Sequence, residues 1–293
     1  MVKSLKKIFK WSVGIPLILL IILNLSGCFQ FRKSNSKKIA TFEKKHLTLK
    51  ASSYKFEDRA INYISTNFED TTKPVAIFIH GSPGSSDNFF NTMQDSTMRQ
   101  HFEMLSIDRP GFGHSNFGKS EPSLEKQTLL LEPLLKLYNG RPIYLVGHSY
   151  GGPVVARAAM LFNDQIAGSL ILAGSVSPED EPDEWWRKPM DWVGVRWIIP
   201  RAMKVSNQEI ITLKNELYRI EPDWKLITKP MSVIQGEKDF LVPAANADFI
   251  QKKASNCRDL RINRYPELDH FIPFTNHELI TDEMLYFISL SDE

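Results

Sequence analysis

The chain has 293 residues, of which 42% are hydrophobic and 24% are charged, an ordinary balance for a globular protein with a full core. Its formal net charge is +2, but residues 1–27 carry four lysines and no acidic residue, so the remainder has a net charge of −2. This charge argues against a nucleic-acid partner, which would require a basic face. The length fits one large α/β domain or two small ones.

Residues 1–27 are predicted to be a targeting segment and not part of the fold. Their lysines precede an apolar run that ends in Leu25-Ser-Gly-Cys28. A basic start, an apolar stretch and small residues before a cleavage site are typical of a secretory signal peptide. The ending resembles a bacterial lipobox, which implies that Cys28 is lipidated and becomes the new N-terminus. The alternative is an uncleaved membrane anchor. Either interpretation predicts an extracytoplasmic protein of the cell envelope, tied to a membrane.

Residues 28–45 contain six basic residues among small polar ones, and we predict a solvated tether there. Besides Cys28 the chain has one cysteine, Cys257. If Cys28 carries lipid, no intramolecular disulfide can form. Weak alternation of apolar residues from His46 to about Phe68 predicts the opening strands of a sheet.

From Pro74 onward, apolar strands alternate with helical patterns, which implies βαβ units and a parallel sheet. The predicted strands lie at about 74–79, 102–107, 143–146, 166–173, 231–235 and 260–265. The predicted helices lie at about 87–99, from a Ser123 cap to Asn139, at 153–162, at 244–254 and at the end of the chain. We therefore predict an α/β core over residues 46–177 and 229–293.

Residues 178–228 interrupt this alternation, because they show helical patterns and no strand signal. They hold five of the six tryptophans, Trp185, Trp186, Trp192, Trp197 and Trp224. The spacing of Ser206 and Glu209 predicts a capping box at the start of one helix. We interpret the segment as a helical cap over the sheet, with some of its rings lining an apolar pocket.

The motif Gly147-His-Ser-Tyr-Gly151 lies between a predicted strand and a predicted helix. In that context the turn is so tight that the central serine is exposed at its tip, with strained backbone angles. Ser149 is therefore the predicted nucleophile. The alternative, a glycine-rich turn with an incidental serine, depends on whether a base and an acid follow it.

A serine hydroxyl needs a base to take its proton and a third group to hold that base. In sheets of this kind the partners follow in the order Ser, Asp or Glu, His. His270 lies in the predicted loop between the last strand and the last helix, whereas His277 lies in the first turn of that helix. His270 is the predicted base. Asp239, just past a strand, is the predicted acid. Asp180 is its main rival, and Glu237, nearer the strand end, is a weaker candidate.

The oxyanion that forms during acyl transfer requires preorganised N–H donors. The backbone of Tyr150, which follows the nucleophile at a helix N-terminus, is one predicted donor. The second is the backbone of Ser82, after His80-Gly81. We assign His80 to structural hydrogen bonding. No His/Cys cluster has metal-ligand spacing, so no metal or other cofactor is expected.

The motifs Gly147-His-Ser-Tyr-Gly-Gly152, His80-Gly-Ser-Pro-Gly84 and Asp108-Arg-Pro-Gly-Phe-Gly-His-Ser115, with the late aspartate and histidine, resemble those of the α/β-hydrolase superfamily. The resemblance covers residues from about 46 to the end. It implies a catalytic triad of Ser149, Asp239 and His270, with the Ser82 and Tyr150 amides as the oxyanion hole.

The resemblance leaves the branch open. A serine nucleophile argues against epoxide hydrolases and haloalkane dehalogenases, which use aspartate. The His80 motif is similar to that of proline iminopeptidases, and the Asp108 motif is common in carboxylesterases and carbon–carbon bond hydrolases.

We predict a membrane-anchored serine hydrolase that cleaves an ester or thioester with an apolar acyl part. An amide-cleaving peptidase, a carbon–carbon bond hydrolase and a noncatalytic binding protein on the same fold are the alternatives. The sequence leaves the oligomeric state open.

Overall fold

The structure, a computed structural model, describes residues 30–196 and 199–290. The predictions for the signal segment, for Cys28 and for Trp197 lie outside the described residues. Within those two ranges, no helix has the length and hydropathy that a membrane span requires.

Eight strands form one sheet with the order β1-β2-β4-β3-β5-β6-β7-β8. The strands are β1 (Lys50–Phe56), β2 (Arg59–Thr66), β3 (Val75–Ile79), β4 (Glu103–Ile107), β5 (Ile143–His148), β6 (Gly168–Leu172), β7 (Met231–Gly236) and β8 (Leu260–Tyr265). The pairs β1–β2 and β2–β4 are antiparallel, and the remaining pairs are parallel. This mostly parallel sheet confirms the predicted α/β class.

Helices cover both faces of the sheet. The α-helices are α1 (Asn35–Glu43), α2 (Phe90–Gln94), α3 (Ser96–His101), α4 (Leu124–Leu129), α5 (Glu132–Leu137), α6 (Gly151–Leu161), α7 (Arg187–Met190), α8 (Val193–Arg196), α9 (Arg201–Ile220), α10 (Ala245–Lys253), α11 (Ile272–Thr275) and α12 (His277–Ser289). Short 3₁₀ helices lie at Ser86–Phe89 and Glu221–Leu226.

The central strands are buried on both faces, which explains why they appear in the sequence as continuous apolar runs. In β3, for example, Ile77 packs in one hydrophobic cluster and Phe78 in the other, because successive side chains of a strand point to opposite faces. The first cluster includes Val155 of α6 and the second includes Phe287 of α12. The doubly covered sheet presents the carboxyl ends of its parallel strands at one edge, where the predicted site residues follow.

The prediction of a solvated tether over residues 28–45 is wrong for residues 35–43. These form α1, which starts at a Ser34 cap and buries Lys38 and Phe42 completely. Phe42 packs edge-on against Phe90 in the second cluster, and the Lys38 ammonium reaches Asp108 and Ser86. The helix was not predicted because its basic residues suggested a segment fully exposed to solvent. Lys38 instead points inward to the buried carboxylate of Asp108.

Two predicted helix boundaries were also wrong. The helix expected at 87–99 is divided at Asp95, whose carboxylate caps α3 by accepting from the Met98 N–H at 2.9 Å. Ser206 and Glu209 do not form a capping box, since α9 begins five residues before Ser206, at Arg201. The Glu209 carboxylate is used elsewhere, in an ion pair with Arg109.

Candidate active site

Ser149 occupies the turn between β5 and α6 and has a φ of 54°. A non-glycine residue in this left-handed region is strained, and such strain is concentrated at functional sites. The turn is closed by Gly151, where a Cβ would lie 2.1 Å from the backbone oxygen of Ile79. No side chain can be accommodated there without moving β3, so the glycine fixes the sharp strand-to-helix turn.

The structure brings Asp239 and His270 together behind this turn. The imidazole Nδ1 lies 2.7 Å from Asp239 Oδ2, and both side chains are almost fully buried. The other carboxylate oxygen accepts from the N–H groups of Leu241 and Val242 at 2.9 and 2.8 Å. Asp239 is therefore held on both oxygens, which leaves His270 oriented with Nδ1 toward the carboxylate. Ser149 and His270 line the same two cavities.

The rival acids and the rival base have other partners. Asp180 accepts from the hydroxyl of Ser177 at 2.6 Å. His277 begins α12 and lies 3.6 Å from the carboxylate of Glu278. Glu237 pairs with Arg264.

His148 supports the backbone of His270. Its Nε2 lies 2.8 Å from the carbonyl oxygen of His270, and the two rings are 4.8 Å apart. Burial lowers the pKa of His148 to about 3, so the ring is neutral and Nε2 carries the proton that it donates. The sequence did not predict this contact, because 122 residues separate His148 from His270.

Ser82 and Tyr150 line a cavity together with Ser149. Tyr150 immediately precedes α6, and Ser82 follows Gly81, where a Cβ would lie 2.8 Å from the Ser149 Cβ. Ser82 also lines both cavities that contain Ser149, and its side-chain oxygen has no hydrogen-bond partner. Both residues thus lie beside the serine, and Tyr150 stands at the start of a helix whose dipole favours negative charge.

Arg109 is a site residue that sequence reasoning missed. Its guanidinium donates to the carbonyl oxygens of His80 and Gly81 at 2.8 and 2.9 Å. It also forms a bidentate ion pair with the Glu209 carboxylate, with both hydrogen bonds at 2.8 Å. The guanidinium also lies 4.5 Å from the ring centroid of Tyr150. Arg109 therefore joins the Ser82 loop and the Tyr150 side chain to helix α9.

One signal in the sequence could have identified Glu209. The buried face of α9 carries Val205 and Leu213, and Glu209 lies between them at helical spacing. A carboxylate on an apolar stripe requires a buried partner. Sequence alone does not name that partner, because Arg109 is 100 residues away.

His80 fixes the same loop from the other side. Its Nδ1 lies 2.7 Å from the Gly81 carbonyl oxygen, and its Nε2 accepts from the Arg109 N–H at 3.0 Å. Complete burial, reinforced by the charge of Arg109, holds the pKa of His80 well below its usual value. The neutral ring matches the structural role predicted for it.

Two cavities of different character meet at Ser149 and His270. The first has a volume of about 420 Å³, and its apolar lining comes from Phe31, Leu241, Phe271 and Phe274. The second, of about 270 Å³, is bordered by carboxylate and guanidinium groups of Glu181, Glu184 and Arg187.

The predicted tryptophan lining is wrong for the described rings. Neither cavity has a tryptophan in its wall. Trp224 is buried in the core against Phe249, and Trp185, Trp186 and Trp192 are exposed. Phe31 from the N-terminal segment, with Phe271 and Phe274 at helix α11, supplies phenylalanines to the apolar wall instead.

Comparison with known proteins gives the same fold. Residues 74–194 match the family model described as alpha/beta hydrolase fold. A proline iminopeptidase of Lactobacillus helveticus is 30% identical over 112 residues, which are 37% of this chain and 38% of that protein. The alignment thus spans less than half the length of this relative.

Solved structures resemble nearly the whole chain. The crystal structure of a membrane phospholipase A, described as a bacterial virulence factor, has a TM-score of 0.65 and 17% identity, and covers 95% of this chain and 98% of its own. A lipase-esterase related protein from Clostridium acetobutylicum has a TM-score of 0.62 and 16% identity, and covers 78% and 99%. At such identities the likeness shows the fold.

The sheet order, the strand–turn–helix around Ser149 and the match of residues 74–194 to the family model all give the α/β-hydrolase fold.

Proposed function

We propose that the protein is a serine hydrolase that cleaves an ester or thioester through an acyl-enzyme. Ser149 attacks the acyl carbonyl, and His270 takes the hydroxyl proton and passes it to the leaving group. Water then attacks the acyl-enzyme, with His270 again as the base. The observation that carries this proposal is the 2.7 Å contact between His270 Nδ1 and Asp239, beside a serine held in a strained turn.

Charge that develops on the acyl oxygen is stabilised by the backbone N–H groups of Ser82 and Tyr150. Each such donor contributes roughly 3–4 kcal/mol to the barrier reduction. Arg109 has a positioning role, because it binds the carbonyl oxygens of the two residues that precede Ser82.

The acyl group occupies the first cavity. Its phenylalanine and leucine walls favour an apolar chain, since burying each methylene contributes about 0.8 kcal/mol. The likeness to a phospholipase and to a lipase-esterase related protein supports this choice of substrate class.

A panel of p-nitrophenyl esters with increasing acyl length tests the proposal. We expect turnover by the unaltered protein and loss of at least three orders of magnitude in Ser149→Ala. Full activity in Ser149→Ala would remove the serine from the mechanism.

A second candidate function is amide cleavage next to a free amino terminus. The second cavity contains the buried carboxyl of Glu181, whose pKa is raised by burial and which has no ion-pair partner among the described residues. A substrate ammonium would supply that partner. The proline iminopeptidase relatives favour the same candidate. Faster turnover of proline p-nitroanilide than of any ester in the panel would favour amide cleavage over ester cleavage.

We also propose that the protein is anchored through a lipid on Cys28 to a membrane of the cell envelope. The support is the basic and apolar segment that ends at Leu25-Ser-Gly-Cys28. Metabolic labelling with an alkyne fatty acid should mark the unaltered chain and not Cys28→Ala. Equal labelling of the two would disprove lipidation at this position.

A further inference from the structure

Exposed apolar side chains are concentrated around the openings of the two cavities. The described residues include thirteen large hydrophobic side chains that are exposed, and five of them line a cavity beside Ser149. We name these five the apolar rim: Phe31, Phe240, Leu241, Phe271 and Phe274. Their exposed fractions range from 41% to 75%. Apolar groups collected at an entrance, and not scattered singly, mark an interaction surface.

The rim includes Phe31, the second described residue of the chain. Phe31 lines the first cavity, and the chain is fixed to the core directly after it. Arg32 donates to the His114 ring at 2.9 Å, and Lys33 pairs with Asp87 at 2.8 Å. The sequence before Phe31 is therefore joined to the cavity entrance itself.

Helix α1 makes this attachment firm. The Lys38 ammonium is fully buried and lies 2.7 Å from the Ser86 hydroxyl and 3.4 Å from Asp108. Phe42, one turn later, is buried in the core below α2. A chain held by a buried ion pair and a buried ring does not act as a long flexible linker.

These facts limit how far the protein can stand from its anchor. Phe31 is the third residue after Cys28, and three residues span at most about 10 Å even when fully extended. An anchor on Cys28 therefore keeps the entrance of the first cavity within about 10 Å of the membrane surface. This distance leaves little room between the rim and the headgroups.

We propose that the apolar rim rests on the lipid bilayer and that the substrate is a long-chain acyl ester resident in that bilayer, which enters the first cavity directly from the membrane. The phenylalanines of the rim contact the acyl and headgroup boundary, and the acyl chain passes from one apolar environment to another without crossing water. This inference rests on the proposed hydrolase function and on the proposed anchor at residues 1–28. It adds the substrate class and the orientation of the protein on the membrane.

Two esters with one leaving group separate membrane access from chemistry. The full chain is reconstituted in vesicles of phosphatidylethanolamine and phosphatidylglycerol. 4-Methylumbelliferyl oleate, which partitions into the bilayer, is compared with the water-soluble butyrate. The measured quantity is the ratio of oleate to butyrate turnover.

The first variant inserts twenty glycine and serine residues between Phe29 and Gln30. Such a spacer has a root-mean-square length of about 25 Å and frees the entrance from the surface without touching the catalytic residues. We expect the ratio to fall at least fivefold while butyrate turnover is unchanged. An unchanged ratio would overturn the short-anchor orientation.

The second variant is Phe31→Asn/Phe274→Ser, with Leu137→Ser as its control. Leu137 is 65% exposed and lies on another surface, next to Tyr138 and Arg141. We expect the rim variant to lower the ratio at least fivefold and the control to leave it unchanged. Equal ratios in the two variants would show that the rim has no special contact with lipid.

The outcome also distinguishes failure of the two proposals. The unaltered chain could hydrolyse butyrate while neither the spacer nor the rim variant changes the ratio of oleate to butyrate turnover. In that case the membrane inference fails and the hydrolase function stands. If it hydrolyses neither ester, the hydrolase function fails and the membrane inference fails with it.

Discussion

The substitution Glu209→Gln tests whether the buried pair with Arg109 supports both the fold and the catalytic loop. The Arg109 and Glu209 side chains are 1% and 0% exposed, and two bonds of 2.8 Å join them. Removing the charge from one partner of a buried pair costs about 3–5 kcal/mol, because the remaining charge is left uncompensated. Glutamine keeps the shape and one acceptor oxygen, so we expect a loss of about 3 kcal/mol in the free energy of unfolding.

The same substitution should also affect turnover. Arg109 holds the carbonyl oxygens of His80 and Gly81, and an arginine that shifts to find another acceptor would displace the backbone that carries the Ser82 N–H. We expect kcat for a p-nitrophenyl ester to fall roughly tenfold while KM changes less, because the lost interaction acts on the transition state.

The control is Glu216→Gln, the same substitution on the same helix. Glu216 accepts from the Leu124 N–H at 2.9 Å and pairs with an arginine that is 74% exposed, so we expect a loss of no more than about 1 kcal/mol and an unchanged kcat. Urea unfolding gives the free energies, and initial rates give kcat. A loss below about 0.5 kcal/mol in Glu209→Gln, with normal kcat, would refute the proposed role of the pair.

Three further predictions concern separate parts of the molecule. Asp239→Asn should lower ester turnover by about three to four orders of magnitude, whereas Asp180→Asn should leave it within about twofold; the reverse result would assign the acid role to Asp180. Lys38→Met should reduce the free energy of unfolding by about 3 kcal/mol, because Asp108 loses its buried cation. A loss smaller than that from the same substitution at an exposed lysine would show that the buried ion pair does not hold α1 on the core. His148 has a pKa of about 3 in the folded chain and about 6.5 when unfolded. The unfolded chain thus binds the extra proton, and stability falls as the pH drops from about 6.5 toward 3, by up to about 1.4 kcal/mol per pH unit. In His148→Gln this contribution to the slope should disappear, and an unchanged slope between pH 4 and 6 would show that the ring is not buried as a neutral group.

The strands and the positions of the candidate site residues along the chain could be predicted from the sequence, because both depend on local patterns. The five apolar residues before His80 are typical of a parallel strand, because both faces of such a strand are buried. The spacing around Ser149 needs a strand, a tight turn and a helix in that order. The order of the later Asp239 and His270 along the chain followed from the same topology.

The features that could not be predicted depend on contacts between residues that are distant in the sequence. Ser206 and Glu209 have the spacing of a capping box, but Arg109 uses the Glu209 carboxylate, and no local pattern contains that pair. The sequence around Lys38 predicts a solvated lysine, because Asp108, its buried partner, is 70 residues away. The apolar wall of the first cavity comes largely from Phe31 and from the phenylalanines at helix α11, two segments that meet only in the folded chain.

The most direct test of the central claim is active-site labelling with a fluorophosphonate, followed by mass spectrometry of the digested protein. The account predicts a single adduct on the peptide that contains Ser149, formed by the unaltered chain and absent from Ser149→Ala. An unlabelled protein, or an adduct on a different serine that persists in Ser149→Ala, would contradict it.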